Sequence, residues 1–366
     1  MNLRHRWACS LLVALAASWS IAPPSHADDE PQRAGSVEPQ RAGSVEPRRA
    51  GSDEITVDEP TARTLEGALR WLASKQSPAG YWADGNNHRA AITAYVTIAF
   101  LANGHLPNEG EHGRTVQRAV DFLLTCVRPD GYIAASTGDH NMYGHGIACI
   151  ALGEVYGQTR DSAVRNKLER AIKLIVQTQN DKGGWRYQPR RADDDISVSV
   201  LQVVALRVAK NSGIDVPQET IDRAVKYVKS CTHAETGGFT YQPRGGSPGF
   251  ARTAAAIYSL QVCGLYDDAM VVRGSKFLFD RAGRDNEWFT YGNFYAAPAQ
   301  YMIGGDTWER WYRQVHARLM KDVKRDGELS YWRPIDGGRG VNEVFATAVY
   351  ATILAMPYSY LPIYQR

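Results

Sequence analysis

The chain has 366 residues and a formal net charge of +3, and 44% of its residues are hydrophobic. This length provides enough apolar material for one large folded core or two small ones. Because 42 basic residues nearly balance 39 acidic ones, the composition argues against a nucleic-acid partner, which usually requires a strongly basic face.

Residues 1–27 have the pattern of a signal peptide. Arg4 and Arg6 give a positive start, residues 10–22 are mostly small and apolar, and Ser25 and Ala27 form a small-x-small cleavage site. The apolar run is too short to cross about 30 Å of hydrocarbon. No later stretch is apolar enough for a transmembrane helix. We therefore expect export to the periplasm or the cell exterior.

Residues 28–60 are predicted to form a disordered spacer. The octapeptide of residues 30–37 recurs at residues 38–45 and, in altered form, at residues 46–53. Its proline, glycine, arginine and glutamate residues have almost nothing to bury. Residues 61–366 should then form a single domain. Four cysteines remain after the leader, without metal-type spacing, and we expect buried thiols rather than disulfides at Cys126, Cys149, Cys231 and Cys263.

The strongest signal after residue 60 is an internal repeat of about fifty residues. Each unit has an amphipathic helix such as residues 64–72 or 170–175, an aromatic turn, and then a more apolar helix such as residues 198–208 or 254–262. The six predicted turns are Gly80-Tyr81-Trp82, Gly131-Tyr132, Gly184-Trp185, Gly238-Phe239, Trp288-Phe289 and Tyr331-Trp332.

The repeat predicts an all-α fold, an (α/α)6 toroid of about six helix hairpins. Helices that are apolar on every side must be covered on both sides, which a ring of inner helices inside a ring of amphipathic helices achieves. An open solenoid would need polar capping repeats. The last unit is instead apolar and aromatic through residues 358–364, so we expect the ring to close.

The turns resemble the QW repeat of the squalene-cyclase and prenyltransferase superfamily. The pattern of a small residue, an aromatic-aliphatic pair, Gln, Gly and Trp fits two units well: Gly67, Trp71, Leu72, Gln76, Gly80 and Trp82, and then Ala171, Leu174, Ile175, Gln179, Gly183 and Trp185. We expect the glutamine to cap a helix end and the tryptophan to cover the turn. Both roles are structural.

Three consecutive aspartates are the candidate catalytic residues. Squalene-hopene-type cyclases of this superfamily protonate an alkene with an Asp-x-Asp-Asp-Thr motif at the start of a helix. In the matching window Asp194 and Asp195 take the last two acidic positions, while Ala192 replaces the first acid and Ile196 the threonine. Crowding of Asp193 with these two carboxylates would keep one of them protonated. The alternative is that the aspartates only cap the helix.

Other polar and aromatic residues lie where the inner helices are predicted to begin. The candidate ligand-binding residues are His88, His140, Tyr143, His145, Arg252, Tyr291, Tyr295 and Asn342. Aromatic ring faces would also stabilise a carbocation. His140 and His145 are five residues apart and do not share a helix face, so no metal site and no cofactor are predicted.

Three functions compete on these observations. The resemblance implies an exported cyclase-like toroid that binds an isoprenoid or other apolar small molecule and, if it is catalytic, cyclises it. A non-catalytic binding module for a partner in the cell envelope is the second reading. The third is a carbohydrate-active barrel, because α/α barrels also host enzymes that act on sugars with paired acids in an aromatic cleft.

Overall fold

The computed structural model describes residues 55–84, 87–135, 141–282, 288–335 and 342–365. Within them the chain alternates between outer and inner α-helices. The outer helices are α1 (Glu59–Ser74), α3 (Gly113–Cys126), α5 (Ser162–Thr178), α7 (Gln218–Ser230), α9 (Ala269–Arg281) and α11 (Gly305–Asp322). The inner helices are α2 (Arg89–Ala102), α4 (Met142–Thr159), α6 (Ile196–Asn211), α8 (Phe250–Val262), α10 (Phe289–Ile303) and α12 (Glu343–Leu354).

The inner helices form a closed ring. Each packs against the next, from α2 through α4, α6, α8 and α10 to α12, and α12 packs against α2. Every residue of α6 from Ile196 to Leu206 is buried, as an inner position requires. Close packing leaves no room for side chains at some contacts, because a Cβ on Gly153 would lie 2.4 Å from Val208 Cγ1. The predicted (α/α)6 toroid is confirmed.

The outer helices cover this ring with one apolar face each. In α5 the buried positions Val164, Leu168, Ala171 and Ile175 recur every three or four residues and mark the face that packs inward. An outer helix can contact the inner helices that precede and follow it in the chain, as α5 does with α4 and α6.

The turns between outer and inner helices are tied down by their tryptophans. The fully buried indoles each donate Nε1–H at 2.8 Å to a carbonyl near the end of the preceding outer helix: Trp82 to Leu72, Trp185 to Ile175, and Trp332 to Leu319. An indole therefore serves as both core and cap, since it fills the turn and satisfies an end-of-helix acceptor.

A glutamine and a glycine lock the turns at Trp82 and Trp185 to the next repeat. Gln179 donates to the carbonyl of Gly183 at 3.0 Å and to that of Thr220, in α7, at 2.9 Å. Gly183 has a φ of +94°, and a Cβ there would lie 2.3 Å from the carbonyl oxygen of Arg223. Only glycine fits this approach, so the turn of one repeat rests directly on the outer helix of the next.

The fifth predicted turn differs from the others. Trp288 is 46% exposed in a left-handed conformation, and Phe289 is already the first residue of α10. The Trp288-Phe289 pair is therefore not a buried turn like Gly184-Trp185. The residues just before it, 283–287, lie outside the described part of the chain.

The ring closes where the first outer helix meets a short hairpin near the end of the chain. Strands β1 (Lys324–Asp326) and β2 (Leu329–Tyr331) pair antiparallel, and β2 packs against α1. Trp71 and Tyr331 stack there with their ring centroids 5.1 Å apart. The predicted turn at Tyr331-Trp332 is thus also the seam of the ring.

Residues just ahead of Thr61 take part in the packing. Helix α1 starts at Glu59, and the Asp58 carboxylate accepts a hydrogen bond from the N–H of Thr61 at 2.9 Å. Ile55 and Val57 pack, partly buried, against the core. The described part of the chain therefore has structural contacts from residue 55 onwards.

Cys126, Cys149, Cys231 and Cys263 are present as thiols, and the first three are buried. Burial raises the pKa of the Cys149 thiol well above its usual value, which makes it unreactive. Across the described ranges, no helix is both long and apolar enough to cross a membrane.

We expect Trp185→Ala to lower the free energy of unfolding by roughly 3 kcal/mol, because it leaves a cavity and removes the indole hydrogen bond to the carbonyl of Ile175. Urea denaturation followed by circular dichroism measures this. Trp288→Ala removes an exposed indole and is the matched control, with an expected change within about 0.5 kcal/mol. Equal losses in the two variants would contradict the buried turn.

Two deletions test the boundary. Removal of residues 28–54 should leave the melting temperature within about one or two degrees of wild type, because that composition has little to bury. Removal of residues 28–60 also takes the Asp58 cap and should cost about 1–2 kcal/mol. Differential scanning calorimetry of both proteins decides, and a large loss from the shorter deletion would show that the spacer contributes to the fold.

Candidate functional site

One face of the toroid collects the loops that precede the inner helices. The N–H of Met142, at the start of α4, donates to the carbonyl of Tyr187, and the N–H of Ile196, at the start of α6, donates to that of Tyr241. These contacts show that the inner helices begin at the same end of the ring. We call this end the N-terminal face, and the opposite end the distal end.

Asp195 is the buried acid of this face. It is the N-cap of α6, and its Oδ1 accepts the N–H of Val198 at 2.9 Å. Its own N–H donates to the carbonyl of Trp185, so the turn fixes its position. Its Oδ2 is buried with no hydrogen-bond partner of good geometry. Only half of the carboxylate is therefore used as a cap.

The surroundings of Asp195 favour its protonated form. Burial raises its pKa above the usual value, and the N–H of Val198, the Tyr241 hydroxyl and the Arg186 guanidinium act in the opposite direction. Arg186 Nε lies 3.8 Å from Oδ2, beyond hydrogen-bond distance. Burial therefore dominates over a cation that sits close but does not bind.

Asp194 and Asp193 have different roles from Asp195. Asp194 is buried, but its Oδ2 accepts from the Asn180 amide at 2.9 Å and lies 3.4 Å from Lys182 Nζ. This places it at the turn of its own repeat, on the side of the outer helices. Asp193 is exposed, 3.9 Å from Arg186 Nη1. Of the three predicted acids, the geometry favours Asp195.

Tyrosines extend from Asp195 across the axis of the ring. Tyr143 in α4 and Tyr291 in α10 lie on opposite inner helices, with ring centroids 6.4 Å apart. Tyr295 follows one turn deeper, 5.0 Å from Tyr291. Burial and, after it, the charge of Asp195 raise the pKa of Tyr143. Burial and the neighbouring tyrosines raise the pKa of Tyr291, with a smaller contribution from Asp195. The acid and the aromatic faces thus form one cluster.

The structure does not bring His145 to this cluster. Its Nδ1 accepts the N–H of Ile133 at 3.1 Å, so the neutral ring carries its proton on Nε2, which lies 3.2 Å from the carbonyl of Ala171. Burial lowers its pKa to about 4. Both nitrogens are occupied by backbone, and His145 anchors the second turn to α4 and α5.

The remaining predicted ligand residues lie around the N-terminal face. Asn342 caps α12 by accepting the N–H of Phe345 and donates to the carbonyl of Ala83, each at 2.9 Å. Arg252 is half-buried and donates to the carbonyl of Ser247. His88 is exposed in a left-handed conformation ahead of α2. His140 lies outside the described residues.

Arg186, Tyr187 and Tyr241 belong to the site but were missed in the sequence. The hydroxyls of Tyr187 and Tyr241 lie 2.6 Å apart beside Asp195. Each tyrosine stands two residues after the buried aromatic of its turn, Trp185 or Phe239. This offset is a signal that an alignment of the repeats could have found. Among the described residues, no group of three or more potential metal ligands converges.

Comparison with known proteins places this chain in a family. Residues 61–252, just over half of the chain, match the family described as domain of unknown function DUF6288. The chain belongs to this family. The matched part of this DUF6288 protein contains Asp193, Asp194, Asp195 and Arg252.

Two characterised relatives are drimenyl diphosphate synthases. The one from Streptomyces showdoensis is 28% identical over 185 residues, which are 50% of this chain and 32% of the relative. The one from Streptantibioticus cattleyicolor is 27% identical over 148 residues, 39% of this chain and 26% of the relative. The DUF6288 chain thus matches about a third or less of the length of these enzymes.

Solved structures with the same fold come from two classes of enzyme. Cellobiose 2-epimerase from Bacillus thermoamylovorans is 12% identical with a TM-score of 0.63, and 83% of this chain covers 99% of that one. The type II terpene cyclase MstE from Scytonema is 13% identical with a TM-score of 0.56, covering 83% and 100% of the two chains. At these identities the likeness establishes the toroid alone.

The depressed pKa of His145 predicts acid sensitivity. An unfolded histidine titrates near pH 6.5, whereas the folded one stays neutral to about pH 4. The stabilisation from neutral His145 is therefore complete above pH 6.5. As the pH drops to 4, the free energy of unfolding falls by roughly 3 kcal/mol. His145→Asn keeps an acceptor for Ile133 but does not titrate. Urea unfolding between pH 7 and 4 should show a smaller loss in this variant, and equal losses would refute the assignment.

Proposed function

We propose that this protein is a terpenoid-cyclase-like toroid that binds an isoprenoid or other apolar, unsaturated molecule at its N-terminal face. The observation that carries the proposal is Asp195, a buried carboxyl with one unbonded oxygen and a raised pKa. The kinship with drimenyl diphosphate synthases supports the same class of ligand.

Asp195 would act as the acid that starts the reaction. Protonated Oδ2 would give its proton to one alkene carbon, leaving a carbocation on the other carbon and a carboxylate on Asp195. The carboxylate is stabilised by the N–H of Val198 and the nearby charge of Arg186. The cation would be stabilised by the ring faces of Tyr143 and Tyr291, and loss of a proton to a base or addition of water would complete the reaction.

A carbohydrate ligand is the second candidate, favoured by a separate observation. Trp288 is 46% exposed and Tyr187 is 37% exposed, and both precede inner helices at the N-terminal face. Flat exposed aromatic rings are suited to stacking on sugars, and the fold is shared with cellobiose 2-epimerase. Here Arg186 and Asp193, 3.9 Å apart, would supply polar contacts to hydroxyl groups.

Residues 1–60 support a proposal for the cellular location of the protein. A leader followed by a hydrophilic repeat is typical of an exported protein held away from its point of attachment. We propose that the toroid works in the cell envelope or outside the cell. Fractionation of the native host, with detection of the protein by antibody, tests this directly.

Asp195→Asn tests the acid. Asparagine keeps an oxygen for the N–H of Val198 but cannot deliver a proton, so turnover of linear isoprenoids should fall at least about a thousandfold with a stability change under about 1 kcal/mol. Asp193→Asn changes an exposed carboxylate and is the matched control, expected to behave like wild type. Product analysis uses mass spectrometry between pH 5 and 8.

The outcomes separate the candidate functions. Isoprenoid binding by wild type without any cyclised product would identify a binding module. Conversion of a disaccharide that is abolished by Trp288→Ala but not by Asp195→Asn would favour the carbohydrate reading. Absence of binding to either class would overturn the proposed function.

A further inference from the structure

A small cavity at the distal half of the ring contains a carboxyl group. Glu154 in α4, Tyr258 in α8, Phe294 and Tyr295 in α10, and Ile363 and Tyr364 are among its lining residues. The cavity volume is about 10 Å³, roughly enough for one water molecule. The cavity lies deeper in the ring than Asp195, because most of its lining residues come from the middle and later turns of the inner helices, and Tyr295 lies between the two.

The cavity is closed by the segment that follows α12. Residues 356–364 form two 3₁₀ turns, Met356–Tyr358 and Pro362–Tyr364, and the second packs against α4, α6 and α10. Because α4 and α10 are opposite members of the inner ring, this turn lies across its distal opening. Leu361, Ile363 and Tyr364 are buried there, while the adjoining Tyr360 is 51% exposed. We call residues 356–365 the end segment.

Few polar bonds hold the end segment on the ring. The Tyr301 hydroxyl contacts Ser359 Oγ at 2.5 Å, and the N–H of Ile363 interacts with the Glu154 carboxyl group. The amide of Gln365 binds the carbonyl of Ser359 within the segment itself. The other contacts are mainly apolar side chains packed over the cavity. Such an attachment is sensitive to the charge state of whatever group lies beneath it.

Glu154 is that group. It is 3% exposed, and its Oε2 is buried without a hydrogen-bond partner. The titratable groups that face it are the hydroxyls of Tyr258 and Tyr364, with Tyr295 also lining the cavity; no lysine, arginine or histidine is among the lining residues. Burial raises the pKa of Glu154 to about 8, and the N–H of Ile363 counters this only in part.

We propose that the end segment is a detachable plug of the distal opening, seated while Glu154 is neutral and released when Glu154 ionises. Ionisation would place an unpaired charge between aliphatic and aromatic side chains, which have no cation to offset it. Release would let water reach this carboxylate and would open the ring from its distal side up to Tyr295. The plug is independent of the ligand proposed for the N-terminal face.

The direction of the pH effect follows from the two states. An exposed glutamate has a pKa near 4.5, and the seated one has a pKa of about 8. Below about pH 4.5 both states are protonated and seating is strongest. Between about pH 4.5 and 8 only the released state ionises, so the ratio of seated to released protein falls by up to tenfold per pH unit. Above pH 8 the ratio is constant.

Hydrogen–deuterium exchange of the full chain tests the plug. Protection of the peptide containing residues 359–365, corrected for the intrinsic pH dependence of exchange, should decrease from pH 5 to pH 8 by at least tenfold. Peptides from α6 serve as the internal reference and should not change in parallel. Glu154→Gln removes the titration and should flatten the profile, whereas Glu169→Gln, at an exposed glutamate of α5, should leave it as in wild type.

A second variant keeps the test decisive if Glu154→Gln does not fold. Ile363→Ala removes part of the apolar packing of the plug without altering the Glu154 carboxyl group. Protection of the end segment should therefore be lower at every pH, while the change of protection with pH stays as in wild type. Two results would overturn the proposal. One is constant protection of the wild-type end segment from pH 5 to 8, and the other is an unchanged pH slope in folded Glu154→Gln.

Discussion

The architecture depends on one hydrogen bond that recurs around the ring. In five turns a backbone N–H binds a side chain of the following inner helix at 2.9–3.1 Å; the acceptors are Thr93, His145, Ser199, Thr253 and Thr347. This bond sets where each inner helix begins relative to its turn. At Trp185 the carbonyl of the same residue also accepts the N–H of Asp195, so the candidate acid is positioned by the element that holds the fold.

Asp195 shows how a structural role and a chemical role share one side chain. Its Oδ1 satisfies an N–H of the first turn of α6, and a helix start by itself favours the anion. Burial has the opposite effect and prevails, because no hydrogen bond of good geometry satisfies Oδ2. In Asp194, one residue earlier, Oδ2 accepts a hydrogen bond from Asn180 and lies 3.4 Å from Lys182 Nζ, so this oxygen is satisfied.

Periodicity was sufficient to predict the toroid, because apolar spacing and turn aromatics are properties of consecutive residues. It could not separate the three aspartates, since their difference arises from which layer of the ring each side chain faces. His145 was misleading for a similar reason. It occupies the position that threonine or serine holds in the other turns, but an imidazole in isolation suggests chemistry. Tyr241 joins Asp195 only through a contact between neighbouring repeats, which no single stretch of sequence displays, whereas Arg186 comes from the same loop as Asp195.

The seam of the ring has a consequence for how the chain acquires its structure. Arg70 pairs with Glu328, 258 residues away, and Asn342 binds Ala83 across 259 residues. Contacts of such sequence separation are slow to form, because most of the chain must be ordered before they are made. During synthesis the first repeats emerge long before α12 exists, so the apolar flank of α2 stays uncovered until then. The closed toroid is therefore a product of late folding, and its early repeats are the part most exposed to misassociation on the way.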